Sequence, residues 1–355
     1  MRYLLTGHTG FKGAWLTYAL AHQGHEVYGY SLPAESGSLF EVATIRDHMS
    51  GEHLGDIRDV ERVREYLLQV SPDIVIHMAA QPLVRESYRE PRYTFETNVM
   101  GTLNIVEAVN QTPSVQAHIV VTTDKVYRNI NQVSGYVESD ALGGDDPYSA
   151  SKAMADLLVQ SWSKSFPGPL TVVARAGNVI GGGDHNQDRL FPDIVSALSQ
   201  GEKLKLRYPE AVRPWQHVLD CLNGYSALAS AMVENPERFD RGSAWNFGPD
   251  ESSFVPVGEV SKLAASLWGS NVGWDADETP EFHEAGLLAL DASKAQEILD
   301  WRNLLPFENA VEWTVAWYQQ VLGGMKNPAE AMASQLDAFE GLKTGKDLNV
   351  VGNGL

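Results

Sequence analysis

The chain has 355 residues, 43% of them hydrophobic, and a formal net charge of -19 at pH 7. That length suits one large or two tightly joined domains, and that apolar share supports a real core and excludes global disorder. The acidity argues against a nucleic-acid surface or an anionic-membrane surface as partner, and an anionic small ligand would need local basic groups and backbone N–H donors.

Cys221 is the single cysteine, so intramolecular disulfides are impossible and a reducing, cytoplasmic setting is expected. The opening "MRYLLTG" turns polar too soon for a signal peptide, and no apolar run approaches the ~20 residues of a membrane span. Arg2 to Leu5 reads as a short buried strand. "TGHTGFKG" follows, then an amphipathic run with Leu16, Ala19 and Leu20 on one face, closed by Gly24, then a strand from Val27 to Tyr30. Gly7, Gly10 and Gly13 are spaced G-x-x-G-x-x-G between that first strand and helix. One glycine turns the chain, one lets a pyrophosphate approach the backbone, and one lets helix pack on strand. The helix N-terminus then offers N–H groups to phosphate. An NAD site of this type usually carries an acid at the end of the second strand. Here the chain reads Tyr30-Ser31-Leu32-Pro33, with Glu35 the first acid and no arginine for a 2′-phosphate. NAD is the expected cofactor, and no metal is expected.

The alternation continues through "HLGDIRD", a helix with Val60, Val63 and Leu67 at helical spacing, and a strand from Asp73 to His77. A helix from Thr94 to Val109 carries Asn98, and strands follow at Val120-Val121 and Leu170 to Ala174. Repeated β-α units with short links predict an α/β Rossmann fold, a doubly wound parallel sheet. The residues expected to face the dinucleotide are Gly7, Thr9, Gly10, Phe11, Lys12, Gly13, Ser31, Asp56, Ile57, Ala79, Ala80, Gln81, Asn98, Thr122, Tyr148 and Lys152. Within "DDPYSASK", Asp146 and Pro147 suit an N-cap and first helical position. Tyr148 and Lys152 then share a face, and the ammonium is expected to lower the phenol's pKa so that Tyr148 can take a hydroxyl proton.

With "TGHTGFKG" and "YSASK" both present, the chain resembles the short-chain dehydrogenase/reductase superfamily in its extended, nucleotide-sugar-modifying branch. The resemblance implies an NAD reduced and reoxidised within one catalytic cycle. The stretch "VVTTDKVY" sharpens it. In that branch the epimerases carry small or hydroxylic residues before "VY", and the CDP-glucose 4,6-dehydratase group carries Thr/Ser-Asp-Lys, as Thr123-Asp124-Lys125 do here. "RAGNVIGGGD", "DRLFPDIV", "RPWQHVL" and "WNFGP" resemble the same group, from about Arg2 to Tyr318. Departures from it at Val126, Gln132, Val133 and Ser134, in "ASKAMAD" and in "GGDHNQ" bear on the exact sugar nucleotide. The resemblance implies catalytic roles for Thr123, Asp124, Lys125, Tyr148 and Lys152. Asp124 is the candidate acid for the C6 hydroxyl, and Lys125 the candidate C5 base or the group that orients it. A same-fold alternative is a 4-epimerase or 4-reductase, or a dehydratase for another nucleotide hexose.

After Ala174 the pattern becomes irregular and is expected to build a smaller, mostly C-terminal substrate domain. Arg85, Asn178, Arg189, Arg213 and His217 are the candidate contacts to the nucleotide sugar, arginine because its fork matches phosphate. The expected division is 1–177 and 218–247 for the dinucleotide, 178–217 and 248–322 for the substrate, and a tail from 323 that is either mobile or an assembly contact. A helix within that tail, from Pro328 to Leu342, is also expected. The resemblance implies a homodimer or a dimer of dimers, paired through the helices near Asn98 and Tyr148.

Overall fold

The computed structural model describes residues 1–132, 134–186, 188–277 and 286–345. Five short strands open the chain, all but the third largely apolar: β1 Arg2–Thr6, β2 Glu26–Ser31, β3 Gly51–Leu54, β4 Ile74–His77 and β5 Ala117–Val121. They are followed by β6 Leu170–Ala176, β7 Asn178–Ile180, β8 Leu204–Leu206, β9 Val212–His217, β10 Ala244–Phe247, β11 Phe254–Pro256 and β12 Trp274–Ala276. Seven of these form one sheet in the order β10-β6-β5-β4-β1-β2-β3, every pair parallel. Helices cover both faces, so β4 and β5 are buried at every position, which is why they read as unbroken apolar runs. The predicted doubly wound fold is the observed one.

The chain leaves β1 in one direction along the sheet and β4 in the other. Between them lies the topological switch point, where an open α/β sheet binds ligands beyond its strand ends. Thr6 pairs with His77 there, so Gly7 and Met78-Ala79 flank the crevice.

The remaining strands form two small sheets, β11-β9-β7 and β12-β8, beside the carboxyl ends of the large one. Side chains tie the segment after β7 to the helices around it. Trp15, in the helix Phe11–His22, donates from Nε1 to the Gly182 carbonyl at 3.0 Å. A Cβ on Gly182 would overlap the ring of Trp317, and Tyr318 Oη donates to the Asp184 carbonyl at 2.6 Å.

Two elements differ from expectation. The helix predicted from Thr94 is a composite: Pro91–Phe95, a π-helical stretch Glu96–Gly101, then Thr102–Asn110. The widened turn places Asn98 inward, 1% exposed, where its amide is bonded to Gln81 and Ser151. The expected tail contains the helix Pro328–Lys343, and it is neither loose nor unpaired. Met332, Leu336 and Phe339 are buried, and Gln335 Nε2 donates to the Trp313 carbonyl at 2.6 Å. An Asn327/Glu330 capping box starts that helix, with Pro328 at its first position. Residues 346–355 of that tail, and Val133 and Gln187 among the departures, lie outside the described residues.

Candidate active site

A cleft of about 920 Å³ opens over the switch point and runs from the strand ends of the large sheet to the small sheets. That is the upper end of the roughly 300–1,000 Å³ usual for ligand pockets, room for more than one small ligand. Its floor at one end is the glycine turn. Gly7 has φ +77, and a Cβ on it would come within 2.8 Å of the Ala79 nitrogen. A Cβ on Gly13 would overlap the Gly7 carbonyl oxygen and approach His8 Cα to 2.7 Å. Gly10 differs: its only neighbour would be the Gly7 oxygen at 3.5 Å, so it faces open cleft. It is also the N-cap of Phe11–His22 and brings no side chain to that cap. Two glycines are therefore needed for packing and one leaves a bare approach to a helix N-terminus, the fit a dinucleotide pyrophosphate requires.

The ends of β2 and β3 complete this half. Ser31 Oγ and Thr9 Oγ1 are 2.7 Å apart, and Thr9 also donates to the Leu32 carbonyl. Asp56 and Ile57 line the cleft beyond β3, and Arg58 holds the Asp56 carboxyl below its usual range. Glu35 lines it as well, 3.3 Å from His185 Nε2.

The second cluster sits where β5 runs out. The helix Pro147–Ser165 is capped by Asp146, whose side chain accepts from the Ser149 N–H, and Pro147 occupies its first turn as expected. Tyr148 and Lys152 both line the cleft. Lys152 is 5% exposed and its Nζ donates to the Val121 carbonyl at 2.8 Å. Burial, helped by the positive charge of Lys12, brings its pKa down to about 8. The expectation for Tyr148 is reversed. Burial pushes its phenol up to about 12, and the opposing influences of Arg189 and a hydrogen bond with Thr123 are smaller. Desolvation of the phenolate outweighs a lysine whose ammonium is engaged by a backbone carbonyl.

Thr123, two residues beyond β5, caps the short turn Asp124–Val126, accepting from the Lys125 N–H. Thr123 Oγ1 donates to Asp124 Oδ1 at 2.8 Å, and Lys125 Nζ lies 3.4 Å from the same oxygen. Asp124 is 1% exposed and its Oδ2 is a buried acceptor with no partner. It lies just beneath the cleft surface that Thr123 and Lys125 form, directed toward Gly177, on which a Cβ would stand 3.5 Å from Oδ2.

Arg85, Asn178, Arg189 and Arg213 all line the cleft. Arg85 pairs with Asp188 at 3.0 Å, and Asn178 Oδ1 is buried without a partner. Among the described residues eight cationic side chains line the cleft against seven acidic ones, in a chain whose net charge is -19. The local balance is what an anionic ligand needs.

Four sequence-based assignments fall outside the lining: Asp124, buried beneath it, and three others. His217 is fully buried as the N-cap of Val218–Glu234, accepting the Leu219 N–H on Nδ1, with its ring edge-on to Trp313. It is a packing residue, and substrate contact is corrected for it. Gln81 and Asn98 are bonded to each other behind the wall: the Gln81 N–H donates to Asn98 Oδ1 at 2.8 Å. They brace the loop that presents Ala79 and Ala80. Two features escaped sequence reasoning. Arg207 lines the cleft and pairs with Asp188 at 3.1 Å, its only signal being a cation after the alternating "KLKL". Arg175 and Asp156 form a fully buried ion pair under the catalytic cluster.

The family model for GDP-mannose 4,6 dehydratase matches residues 4–314. A CDP-glucose 4,6-dehydratase of Salmonella typhimurium is 41% identical over 332 residues, covering 91% of this chain and 92% of its own. A dTDP-glucose 4,6-dehydratase of Xanthomonas campestris is 27% identical, covering 89% and 92%. Among solved structures, the dTDP-glucose 4,6-dehydratase DesIV of Streptomyces venezuelae, with NAD bound, superposes with a TM-score of 0.78 at 26% identity, covering 91% of this chain and 98% of that one. A UDP-glucose 4-epimerase of Thermotoga maritima shares the fold, with a TM-score of 0.79 at 21% identity over 91% and 100%. By the extent of the first match and the identity to the second, this chain belongs to the GDP-mannose 4,6 dehydratase family.

Proposed function

We propose that this protein dehydrates a nucleotide-activated hexose at C4–C6 with NAD, and that its substrate is CDP-D-glucose, giving CDP-4-dehydro-6-deoxy-D-glucose. One observation carries the reading: Thr123 and Lys125 line the same cleft as Tyr148 and Lys152, with Asp124 buried between them just beneath its surface. An epimerase needs only the tyrosine, the lysine and a hydroxyl group. Elimination needs an acid and a base besides. The 41% identical relative named for CDP-glucose supports the choice of nucleotide.

NAD held over Gly7, Gly10 and Gly13 supplies the acceptor for the C4 hydrogen and its later donor to C6. Tyr148 is assigned the C4 hydroxyl proton; its buried phenol must first be ionised, which the positive charges of Lys152 and of the oxidised nicotinamide would favour. The C4 ketone acidifies the C5–H, and Lys125 is our candidate to remove that proton. Asp124 then protonates the C6 hydroxyl as the C–O bond breaks, and water leaves. Arg189 and Arg213 are assigned to the diphosphate, Arg85 and Asn178 to the substrate end of the same wall. The two-lobed division and a homodimer go with this reading. Met100, Met154 and Leu157 are exposed on the helices that carry Asn98 and Tyr148, which suits pairing of those helices with a second copy. Among the described residues no helix is long and apolar enough to cross a membrane.

The test is to incubate the protein with CDP-, dTDP-, GDP- and UDP-hexoses without added reductant and to look for the base-dependent absorbance of a 4-keto sugar. Ketone from CDP-glucose above the others is expected. No ketone from any of them would overturn the reading.

A further inference from the structure

Arg175 stands next to the last residue of β6, fully buried in a strand of otherwise small or apolar residues. Its guanidinium donates from Nε to Asp156 Oδ2 at 2.7 Å and from Nη2 to Asp156 Oδ1 at 2.9 Å. Nη1 donates to Tyr127 Oη at 2.8 Å and to the Glu138 carbonyl at 3.2 Å. The guanidinium also lies 4.8 Å from the Tyr127 ring centre. Tyr127 Oη in turn donates to Asn246 Oδ1 at 2.7 Å. Asp156 is equally occupied: beyond Arg175 it accepts from Gln160 Nε2 at 2.7 Å and from Thr122 Oγ1 at 3.3 Å.

Two placements give this network a purpose. Asp156 follows Lys152 by four residues and Tyr148 by eight, on the same face of Pro147–Ser165. Thr122 and Tyr127 bracket the turn that carries Thr123, Asp124 and Lys125. One ion pair therefore grips the helix that carries the C4 chemistry and both ends of the turn that carries the C5–C6 chemistry. A buried ion pair is weak evidence for stability, since well-packed apolar residues often serve a core as well. What apolar residues would not supply is directional bonding to both pieces at once.

We infer that Arg175 and Asp156 are positioning residues for the elimination step, holding the Asp124–Lys125 turn in register with Tyr148 and Lys152. The inference rests on the proposed 4,6-dehydration. In that step the C5–H bond gives its proton to the base, the C6–O bond breaks, and the hydroxyl takes the Asp124 proton and departs as water. A C5=C6 double bond conjugated to the C4 ketone remains, and no outside oxidant or reductant enters. The turn and the helix must keep their spacing for acid and base to act on the substrate that Tyr148 has just oxidised.

The test compares wild type with Tyr127→Phe, which removes one hydroxyl and leaves the ion pair and the ring in place. Arg175→Lys keeps the charge and loses the fork. Each is mixed with CDP-glucose while three readouts are followed: reduced-nicotinamide absorbance on the enzyme, deuterium entry at C5 from D2O, and ketone product. In Tyr127→Phe, C4 oxidation keeps its rate and KM is unchanged. Elimination falls by as much as about 10²-fold, the cost of roughly 1 Å of misplacement, so reduced nicotinamide builds up. Arg175→Lys shows the same split. Equal slowing of oxidation and elimination in folded Tyr127→Phe, or no change in either, would overturn the inference. A wild type that forms neither reduced nicotinamide nor ketone overturns the dehydration reading and the inference with it.

Discussion

Gly10 and Gly13 sit three residues apart in the same turn, yet substitution by alanine should separate folding from cofactor binding. In Gly13→Ala the new Cβ overlaps the Gly7 carbonyl oxygen and meets His8 Cα at 2.7 Å. Both neighbours are backbone, so neither yields by changing rotamer. Overpacking of this kind costs about 1–3 kcal/mol, partly offset by about 1 kcal/mol of helix propensity gained over glycine. In Gly10→Ala the Cβ makes one ordinary contact, at 3.5 Å, and the residue's φ of -79 and ψ of 171 suit alanine. Loss of a good N-cap residue and the reduced entropy of the unfolded chain, each about 0.5–1 kcal/mol, oppose one another. The cofactor-free protein should therefore keep its stability. The methyl instead occupies the approach of the pyrophosphate and removes one or more charge-assisted hydrogen bonds at about 1.5–3 kcal/mol each, or at least about tenfold in NAD affinity. Urea unfolding of cofactor-stripped protein, paired with NAD titration by calorimetry, reads the two effects separately. NAD affinity of wild-type strength in Gly10→Ala, or a loss of apo stability as large as that of Gly13→Ala, would refute the reasoning.

Asp124→Asn should oxidise C4 of CDP-glucose and stall before water is lost, by at least about 10²-fold in product rate; single-turnover absorbance checks it, and unchanged turnover removes Asp124 as the acid. Lys152 has a folded pKa of about 8 against a model value of 10.5, so the unfolded chain binds the extra proton between these values. Its burial cost is therefore full below pH 8 and is relieved as pH rises toward 10.5. Relative to Lys152→Met, wild type should gain up to about 3 kcal/mol over that window in urea unfolding, and a flat difference would contradict it. Leu157→Glu places a charge on an exposed apolar position of the helix that carries Tyr148. Light scattering should show a dimer in wild type and a monomer in the variant, with the melting temperature nearly unchanged.

The large sheet was legible because its strands are short, all but the third largely apolar, and separated by helical periodicity, and because the glycine spacing follows the first strand. "TTDK" and "YSASK" were legible because their residue types carry chemistry at fixed spacing. Burial and partnership were not. His217 looked like a ligand because it follows a loop arginine, but its ring caps a helix and packs on Trp313. The YxxxK spacing gave the shared face of Tyr148 and Lys152 correctly. It could not show that Lys152 bonds to the Val121 carbonyl, or that burial would raise the phenol. The π-helical turn at Glu96–Gly101 leaves no mark in an apolar pattern, since one extra residue shifts the face without breaking the helix. Arg175 was visible only as a charge inside "VVARAG", and its partner lies 19 residues away on another element. The helix at Pro328 could be predicted from its pattern, whereas its seat against Trp313 depends on tertiary packing.

The ties on the segment after β7 bear on cellular context. Trp15 grips the Gly182 carbonyl, Trp317 fills the place a side chain at Gly182 would need, and Tyr318 ties down Asp184. The segment pinned in this way also reaches across to the loop after β2 through His185 and Glu35. On the proposed reading that segment borders the dinucleotide end of the cleft, so a cofactor bound there would be retained while the sugar nucleotide exchanges. A cofactor retained there works as part of the protein, discharging on each substrate the electrons it took from that same molecule. The turnover of such a catalyst is set by its substrate alone, and it is insulated from the balance of oxidised and reduced nicotinamide around it.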